Sequence, residues 1–433
     1  MEFDRYGGWT GRRFAATGFF RLAQAERWWL VTPEGNAHLS LGLNHVEPSP
    51  MTSPHNLAFW AGRLGLPPDA AADAFLPGFL AKVRADAAHL GAGAIGCHSH
   101  PAAFGLSIPY VPTVRALDIC HYLTPGPADF RDPFDPAFAD HCDRVARAGV
   151  RPEDPYLLGY FLTDCPVLTD LEAAPREPNL YGNARPGLPT YPRVLRNLPG
   201  HAPGKRVYVR LMVERHGSIE AFNRAYATGF SSFDSLERAV DWRPATDKAN
   251  RAERADNQAF LALVMEQAWR TQAGAIRRHD PNHLVLGDKL NGNTDLPSAI
   301  VQAAANHFDL VFYQMYGFAE EELTLLQRWR RLTHKPFLLG DANITVATPE
   351  MPNPYGPVAP DQAARRQAFL EAAGTLFEQP QFVGWHWCGW MDQWESVQPG
   401  KQHSGLQDPF GRWHPVAQAF KAVAAGLYRT PVG

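Results

Sequence analysis

The chain has 433 residues, a net charge of −3, 45% hydrophobic residues and 20% charged residues. This balance excludes a disordered or fibrous protein and argues against a broad nucleic-acid-binding or anionic-membrane surface. No run approaches the ~18 uninterrupted apolar residues of a membrane span, so neither nucleic acid nor membrane is an expected partner; oligomeric state is not legible.

Residues 18–37 predict a short N-terminal β-hairpin segment. Its apolar runs Phe19-Phe20-Arg21-Leu22 and Arg27-Trp28-Trp29-Leu30-Val31 are followed by the turn signal Pro33-Glu34-Gly35-Asn36. The hairpin reads as a lid, and the next run, Ala37–Leu41, as a strand turning inward. Short apolar runs then alternate with helical stretches. Gly93–Gly96 follows an Ala-rich helix near 75–90, Pro109-Tyr110-Val111 is a weak strand, and Tyr156–Leu162 is a strong one. A long helix over roughly 252–279 has Leu261, Val264, Ala268 and Ala275 on one face. It leads to the runs His283–Gly287, Leu310–Tyr313, Phe337–Gly340 and Phe382–Trp387. With the run through Leu39–Asn44 these make eight candidate strands. Their continuous apolar character suits parallel strands buried on both faces, so the expected fold is α/β, a (β/α)8 TIM barrel spanning 1–433 as one domain.

Polar residues follow these runs: Asn44, His45 and Glu47; His98 and His100; Asp164; Asp288 and Lys289; Gln314 and Tyr316; Asp341 and Asn343; His386 and Asp392. In a barrel such positions gather at the C-terminal mouth, where active sites lie. Residues 180–250, Pro/Gly-rich at first, break the rhythm between the fourth and fifth strands. They predict a large insertion over the mouth, walling the cleft or packing as a small subdomain. The 12 tryptophans fit either aromatic ligand platforms or a large aromatic core. Five scattered cysteines and the acidic start MEFDRYGGWTGRRF indicate neither a disulfide framework nor a secretory signal, which makes a reduced, cytoplasmic protein the expectation. Cys97, His98, His100, Cys120, His121 and Cys165 lack regular zinc-site spacing, so no metal and no cofactor are expected.

Several segments, in order, carry a resemblance. RWWLVTPEGNAHLSLGLNHV resembles the opening of β-agarase-like glycoside hydrolases, and DPYLLGYFLTD, RRHDPNHLVLGDKLNG, KPFLLGD and QFVGWHWCGWMDQWE fit later parts. HGSIEAFNRAYATGFSSFDSL is similar to a stretch of barrel β-galactosidases before strand five. The resemblance implies a retaining TIM-barrel hydrolase of oligosaccharides, with one catalytic carboxylate after strand four and one after strand seven.

The departures fall on those carboxylates. The family's strand four ends in Asn-Glu, whose Glu is the acid/base; here Asp164-Cys165 stands in that register. Strand seven ends in Gly-Glu, whose Glu is the nucleophile; here it is Gly340-Asp341. The resemblance therefore implies Asp341 as nucleophile or base and Asp164 as acid/base, the latter needing a raised pKa; the shorter side chains would by themselves widen the gap towards the inverting arrangement, so retention by ancestry and inversion by geometry both stand. Asp170 and Glu172 are reserves. Cys165 reads as a small space-filling residue, a reactive thiol or a metal ligand. By the same analogy Tyr316 sits against the nucleophile beside Asn343, and Trp385 and Trp387 form a sugar platform. Asn44, His45, His98, Asp288 and Lys289 bind sugar hydroxyls. A barrel that binds sugar without cleaving it is the alternative.

Overall fold

The computed structural model describes residues 1–119, 130–170, 190–244, 251–349, 351–352, 354, 356–393 and 404–429. Cys120, His121 and Glu172 lie outside them. The chain begins with β1 (Trp9–Arg13), β2 (Arg21–Gln24), β3 (Trp28–Val31) and β4 (Asn36–His38), an antiparallel sheet in the order β1-β4-β3-β2. β2 and β3 form the expected hairpin, Arg21 opposite Val31 and Gln24 opposite Trp28.

A parallel sheet follows. It comprises β5 (Ser40–Leu43), β6 (Ala94–Ile95), β7 (Gly159–Asp164), β8 (Leu284–Asn291), β9 (Val311–Gln314), β10 (Phe337–Ala342) and β11 (Phe382–Trp387). The strand order is β6-β5-β11-β10-β9-β8-β7, so β11 returns beside β5 and the sheet curls. The weak run at Tyr110 makes single parallel bridges in both directions: Tyr110 with Ile95 of β6 and with Leu157 just before β7, and Thr113 with Phe161. The molecule is thus a mixed α/β protein in which helices separate the parallel strands.

Two apolar cores follow from strand alternation. Leu158, Phe161, Leu286, Phe312, Leu338 and Val383 share one inner cluster with Tyr6, Phe20 and Leu30 of the N-terminal segment. The other core lies between strands and helices and includes Tyr160, Leu162, Leu339, Trp385 and Trp387. Helix Gln362–Phe377 shows how sequence sets this outer layer. Asp361 caps it by accepting from the Ala364 N–H at 2.8 Å, and its Phe369 ring packs 5.1 and 4.9 Å from Trp385 and Trp387.

The hairpin is a floor, not the expected lid. The Trp28 N–H donates to Pro380 O at 2.7 Å, and Phe19 meets His283 at 4.9 Å. Pro380 and His283 immediately precede β11 and β8, at the end of the sheet opposite the mouth. Phe20 and Leu30 are fully buried there, so apolar burial, not ligand access, fixes the hairpin's place.

Within the insertion, helices Tyr191–Arg196, Pro203–His216, Ile219–Tyr226 and Phe233–Arg238 form a packed unit. It is clamped to helix Arg251–His279 by charge. Arg193 and Arg196 hold Glu253 at 2.9 and 2.7 Å, and His216 and Tyr226 hold Asp256 at 2.7 and 2.8 Å. Asp170, a reserve acid in sequence, belongs to the same clamp: its Oδ2 accepts from Arg254 at 3.1 Å and Gln258 at 2.8 Å.

Candidate functional site

Asp341 is the penultimate residue of β10 and Asp164 the last residue of β7. Simple alternation does not aim them inward. Leu338 is interior, so Asp341, three residues on, would share the outer face of Leu339. A register slip intervenes: Leu339 pairs with Tyr313, yet Asp341 pairs with the next residue, Gln314. β7 slips likewise, with Phe161 opposite Gly287 and Asp164 opposite Lys289. Such bulges re-aim side chains beside active sites. On β8, Gly287 has φ +91°, a conformation that favours glycine, and beyond it Lys289 is the residue that turns to the aspartates.

Lys289 is the hub. Its side chain is 0% exposed, and Nζ lies 2.6 Å from Asp341 Oδ2 and 2.9 Å from Asp164 Oδ1. It also lies 3.0 Å from His98 Nε2 and 3.6 Å from Cys97 Sγ. His98 Nε2 is 3.4 Å from Asp164 Oδ2 and 3.9 Å from Asp341 Oδ2. Asn44 donates through Nδ2 to Asp341 Oδ1 at 2.7 Å and to Gly340 O at 2.6 Å. The His45 ring stacks on His98 with centroids 4.8 Å apart. A Cβ at Gly96 would sit 1.9 Å from Asn44 Oδ1 and 2.8 Å from His386 Nδ1, so the Asn44 arm needs glycine there.

The backbone at the rim is strained. His45, His98 and Cys165, which follow β5, β6 and β7, have φ of 50°, 59° and 41°. Non-glycine residues reach this region at a cost, and such strain clusters at functional sites.

Electrostatics follow from the hub. Burial alone would raise both carboxyls, but Lys289, aided by His98, outweighs it and holds Asp341 below and Asp164 well below the usual carboxylate range. The two carboxylates in turn outweigh burial at Lys289 and push its pKa well above the ordinary lysine value. Burial opposes charge on His98, while the Cys97 sulfur and Asp164 favour it against Lys289, and its pKa is raised. The raised pKa expected for an Asp164 acid is therefore absent: Asp164 is held ionised.

Ring nitrogens of His45 and His98 and a carboxylate oxygen of Asp341 lie within 4.8 Å of one another, a spacing compatible with a metal ion. The Lys289 ammonium already contacts Asp341 and His98, however, and its charge repels a second cation. The donor set does not fit a resident metal.

Asn44, His45, His98, Lys289, Asp164 and Asp341 thus converge. Asn343 and Tyr316 are adjacent: Asn343 donates to Cys388 O at 2.8 Å, and the Cys388 thiol interacts with both Tyr316 and Asp341. Asp288 does not join them. It faces outward, accepting from Thr163 N at 2.8 Å and Trp269 Nε1 at 2.7 Å, and burial, only partly offset by these bonds, pushes it up to about 6. Trp385 and Trp387 are not a platform either. Both are 1% exposed or less, two residues apart on one strand face, packed on Phe369. The interior residue of that strand is His386, whose Nε2 lies 2.8 Å from Ser40 Oγ. Cys165 is fully buried. Glu47, placed among the mouth residues in sequence, was given no role there. It sits partly buried at the rim, accepting from Gln393 at 3.0 Å and interacting electrostatically with His98. A cleft of about 840 Å³ bordered by Trp28, Leu284, Asp309 and Lys335 lies at the opposite end of the strands and contains none of these groups.

No family model matches the chain. It is similar to β-agarase B of Vibrio sp. (strain JT0107), 23% identical over 269 residues, which cover 60% of this chain and 26% of the agarase. The chain thus spans about a quarter of that relative's length. An exo-β-agarase structure matches with a TM-score of 0.76 and 21% identity, covering 100% of this chain and 68% of that one. A polyextremophilic β-galactosidase from the Antarctic haloarchaeon Halorubrum lacusprofundi matches with a TM-score of 0.53 and 13% identity, covering 80% and 55%. The resemblance carried by the sequence segments is therefore matched by a shared fold, that of agarase-like glycoside hydrolases.

Proposed function

We propose that the protein is a glycoside hydrolase acting on β-linked, agarose- or galactoside-type oligosaccharides, with Asp341 and Asp164 as its carboxyl pair. The observation that carries this reading is the shared lysine. Contacts of 2.6 and 2.9 Å to one nitrogen keep Asp341 Oδ2 and Asp164 Oδ1 no more than about 5.5 Å apart. Retaining glycosidases hold their carboxyls about 5–5.5 Å apart, and inverting ones about 6.5–9.5 Å. The shortened side chains would by themselves retreat from the axis; the register slips and Lys289 counter that retreat, which supports retention with Asp341 as nucleophile.

The scaffold for this chemistry is a single (β/α)8 barrel, with residues 110–113 as the third staves between β6 and β7. The bridges on both sides of Tyr110 support it. Among the described residues no helix is long and apolar enough to cross a membrane. Among the described residues Cys97, Cys142, Cys165 and Cys388 form no disulfide.

Proton NMR of products from an agaro-oligosaccharide series tests the reading. A first-formed anomer of retained configuration is expected. An inverted first product removes the nucleophile role of Asp341. Saccharide binding without cleavage across the series favours instead a non-hydrolytic sugar-binding barrel, the reading suggested by the buried cation bridging both carboxylates.

A further inference from the structure

We propose that the helical insertion between β7 and β8 holds a buried small monovalent anion on the side-on edge of Arg196. The site is separate from the carboxyl pair, and the inference does not depend on the hydrolase reading.

Arg196 ends helix Tyr191–Arg196, and its side chain is 0% exposed. One nitrogen is accounted for: Nη1 donates to Glu253 Oε1 at 2.7 Å. The guanidinium lies over Trp242, with Cζ 4.3 Å from the ring centre, so one of its faces is covered. Nε and Nη2 are buried with no hydrogen-bond partner. These two nitrogens form the edge whose N–H bonds run parallel and which takes planar or bridging anions two bonds at a time. Arg193 shows the same edge filled. Its Nε meets Glu253 Oε1 and its Nη2 meets Oε2, both at 2.9 Å.

Two more buried polar atoms without a partner belong to this cluster, Trp242 Nε1 and Tyr208 OH, on rings 6.4 Å apart. Both can donate, as the two guanidinium nitrogens do. Charge favours an anion over a water molecule. Among the described residues Glu253 is the one carboxylate within ion-pair distance of Arg196, and Arg193 shares it. Lys205 is fully buried beside them. Its ammonium donates to the carbonyls of Arg196 and, at 2.7 Å, of Ala239, and no described carboxylate is within ion-pair distance of it. Burial and then the Arg196 charge lower Lys205 to about 8, the mark of two cations packed together. Water would satisfy the N–H groups and leave that charge uncompensated; a halide or a one-carbon carboxylate answers both needs. Such an anion would tie helix Tyr191–Arg196 to Trp242 and, through Glu253, to helix Arg251–His279.

Thermal unfolding tests the site. Sodium gluconate, whose anion is too large to be enclosed, is replaced stepwise by chloride, bromide or formate at constant ionic strength. A saturable rise in melting temperature is expected, about 3 °C at a hundred times the dissociation constant for a chain of this size. A rise with chloride and bromide assigns a halide, and a rise with formate alone assigns a carboxylate; no rise with any of the three overturns the proposal. Arg196→Lys keeps a cation for Glu253 but deletes the paired donors, and is expected to abolish the rise. Trp242→Phe keeps the ring beneath the guanidinium, removes one N–H, and is expected to raise the half-saturating concentration at least about tenfold. It also decides the matter should the lysine variant not fold. An unchanged response in the variants overturns the assignment to Arg196. Crystals grown in sodium bromide place the ion directly: an anomalous peak touching both Nε and Nη2 is expected, and water alone at that edge, or bromide only at the surface, overturns the site.

Discussion

Replacing Lys289 by methionine removes the fully buried cation that bridges two buried carboxylates and leaves His98, 3.4 and 3.9 Å from them, as their remaining basic neighbour. At an effective dielectric of ~20, contacts of 2.9 and 2.6 Å are each worth about 6 kcal/mol of attraction. Several kcal/mol per buried ion offset this through lost hydration. Breaking a buried pair by deleting one partner costs about 3–5 kcal/mol net, because the remaining charge stays buried and uncompensated. At about 2.1 cal/mol/K of unfolding entropy per residue, that loss lowers the melting temperature by roughly 3–6 °C for a chain of this size. The pH dependence gives the sharper signature. In the wild type the aspartate pKa values are depressed, so their stabilising contribution is present above the unfolded carboxylate pKa near 4 and fades as pH falls through the folded values. Without Lys289, burial pushes the folded values above 4 instead. The variant is then least stable at high pH and recovers as the aspartates take up protons. Thermal unfolding of both proteins from pH 5 to pH 8 should show a gap that widens with pH. A gap that is constant or absent would refute the charge-hub account.

Asp341→Asn should fold normally and lose at least about a hundredfold in turnover on whichever saccharide the wild type cleaves, measured by initial rates. Trp385→Ala should cost about 3–5 kcal/mol in stability through the cavity left against Phe369, with KM unchanged in the folded fraction; a KM effect without a stability effect would restore the platform role. Alkylation of the denatured protein without reductant should label all five cysteines by mass spectrometry, and two or more that react only after reduction would contradict a reducing compartment.

The strand runs were legible because parallel strands buried on both faces are apolar throughout; the runs through Leu162, Gly287 and Gly340 fall in β7, β8 and β10, which continue past them to include Asp164, Lys289 and Asp341. Which of two neighbouring polar residues faces inward was not legible. Asp288 and Lys289 look equivalent in sequence, and the choice depends on the backbone flip at Gly287, a glycine with no local signature of a bulge. Trp385 and Trp387 misled through composition: aromatic residues at a strand end suit a sugar face or a helix face equally, and only Phe369, reached across a parallel crossover, decides it. The hairpin was recognised, but its place was not, because floor and lid differ only in long-range partners such as Pro380. Glu47 was placed at the mouth, but its neighbours Gln393 and His98 are remote in sequence and were not legible.

The three left-handed residues at the rim set stability against the use of their side chains. For any residue with a Cβ this conformation costs about 1–2 kcal/mol, which glycine avoids. At His45, His98 and Cys165, therefore, the substitution that best relaxes the backbone is also the one that discards the side chain. A protein drifting without demand on its mouth gains stability by accepting glycine at each position. Imidazole, imidazole and thiol at these positions mark the places where such drift would first become visible, and glycine replacements there offer a direct measure of how much sturdiness the working rim forgoes.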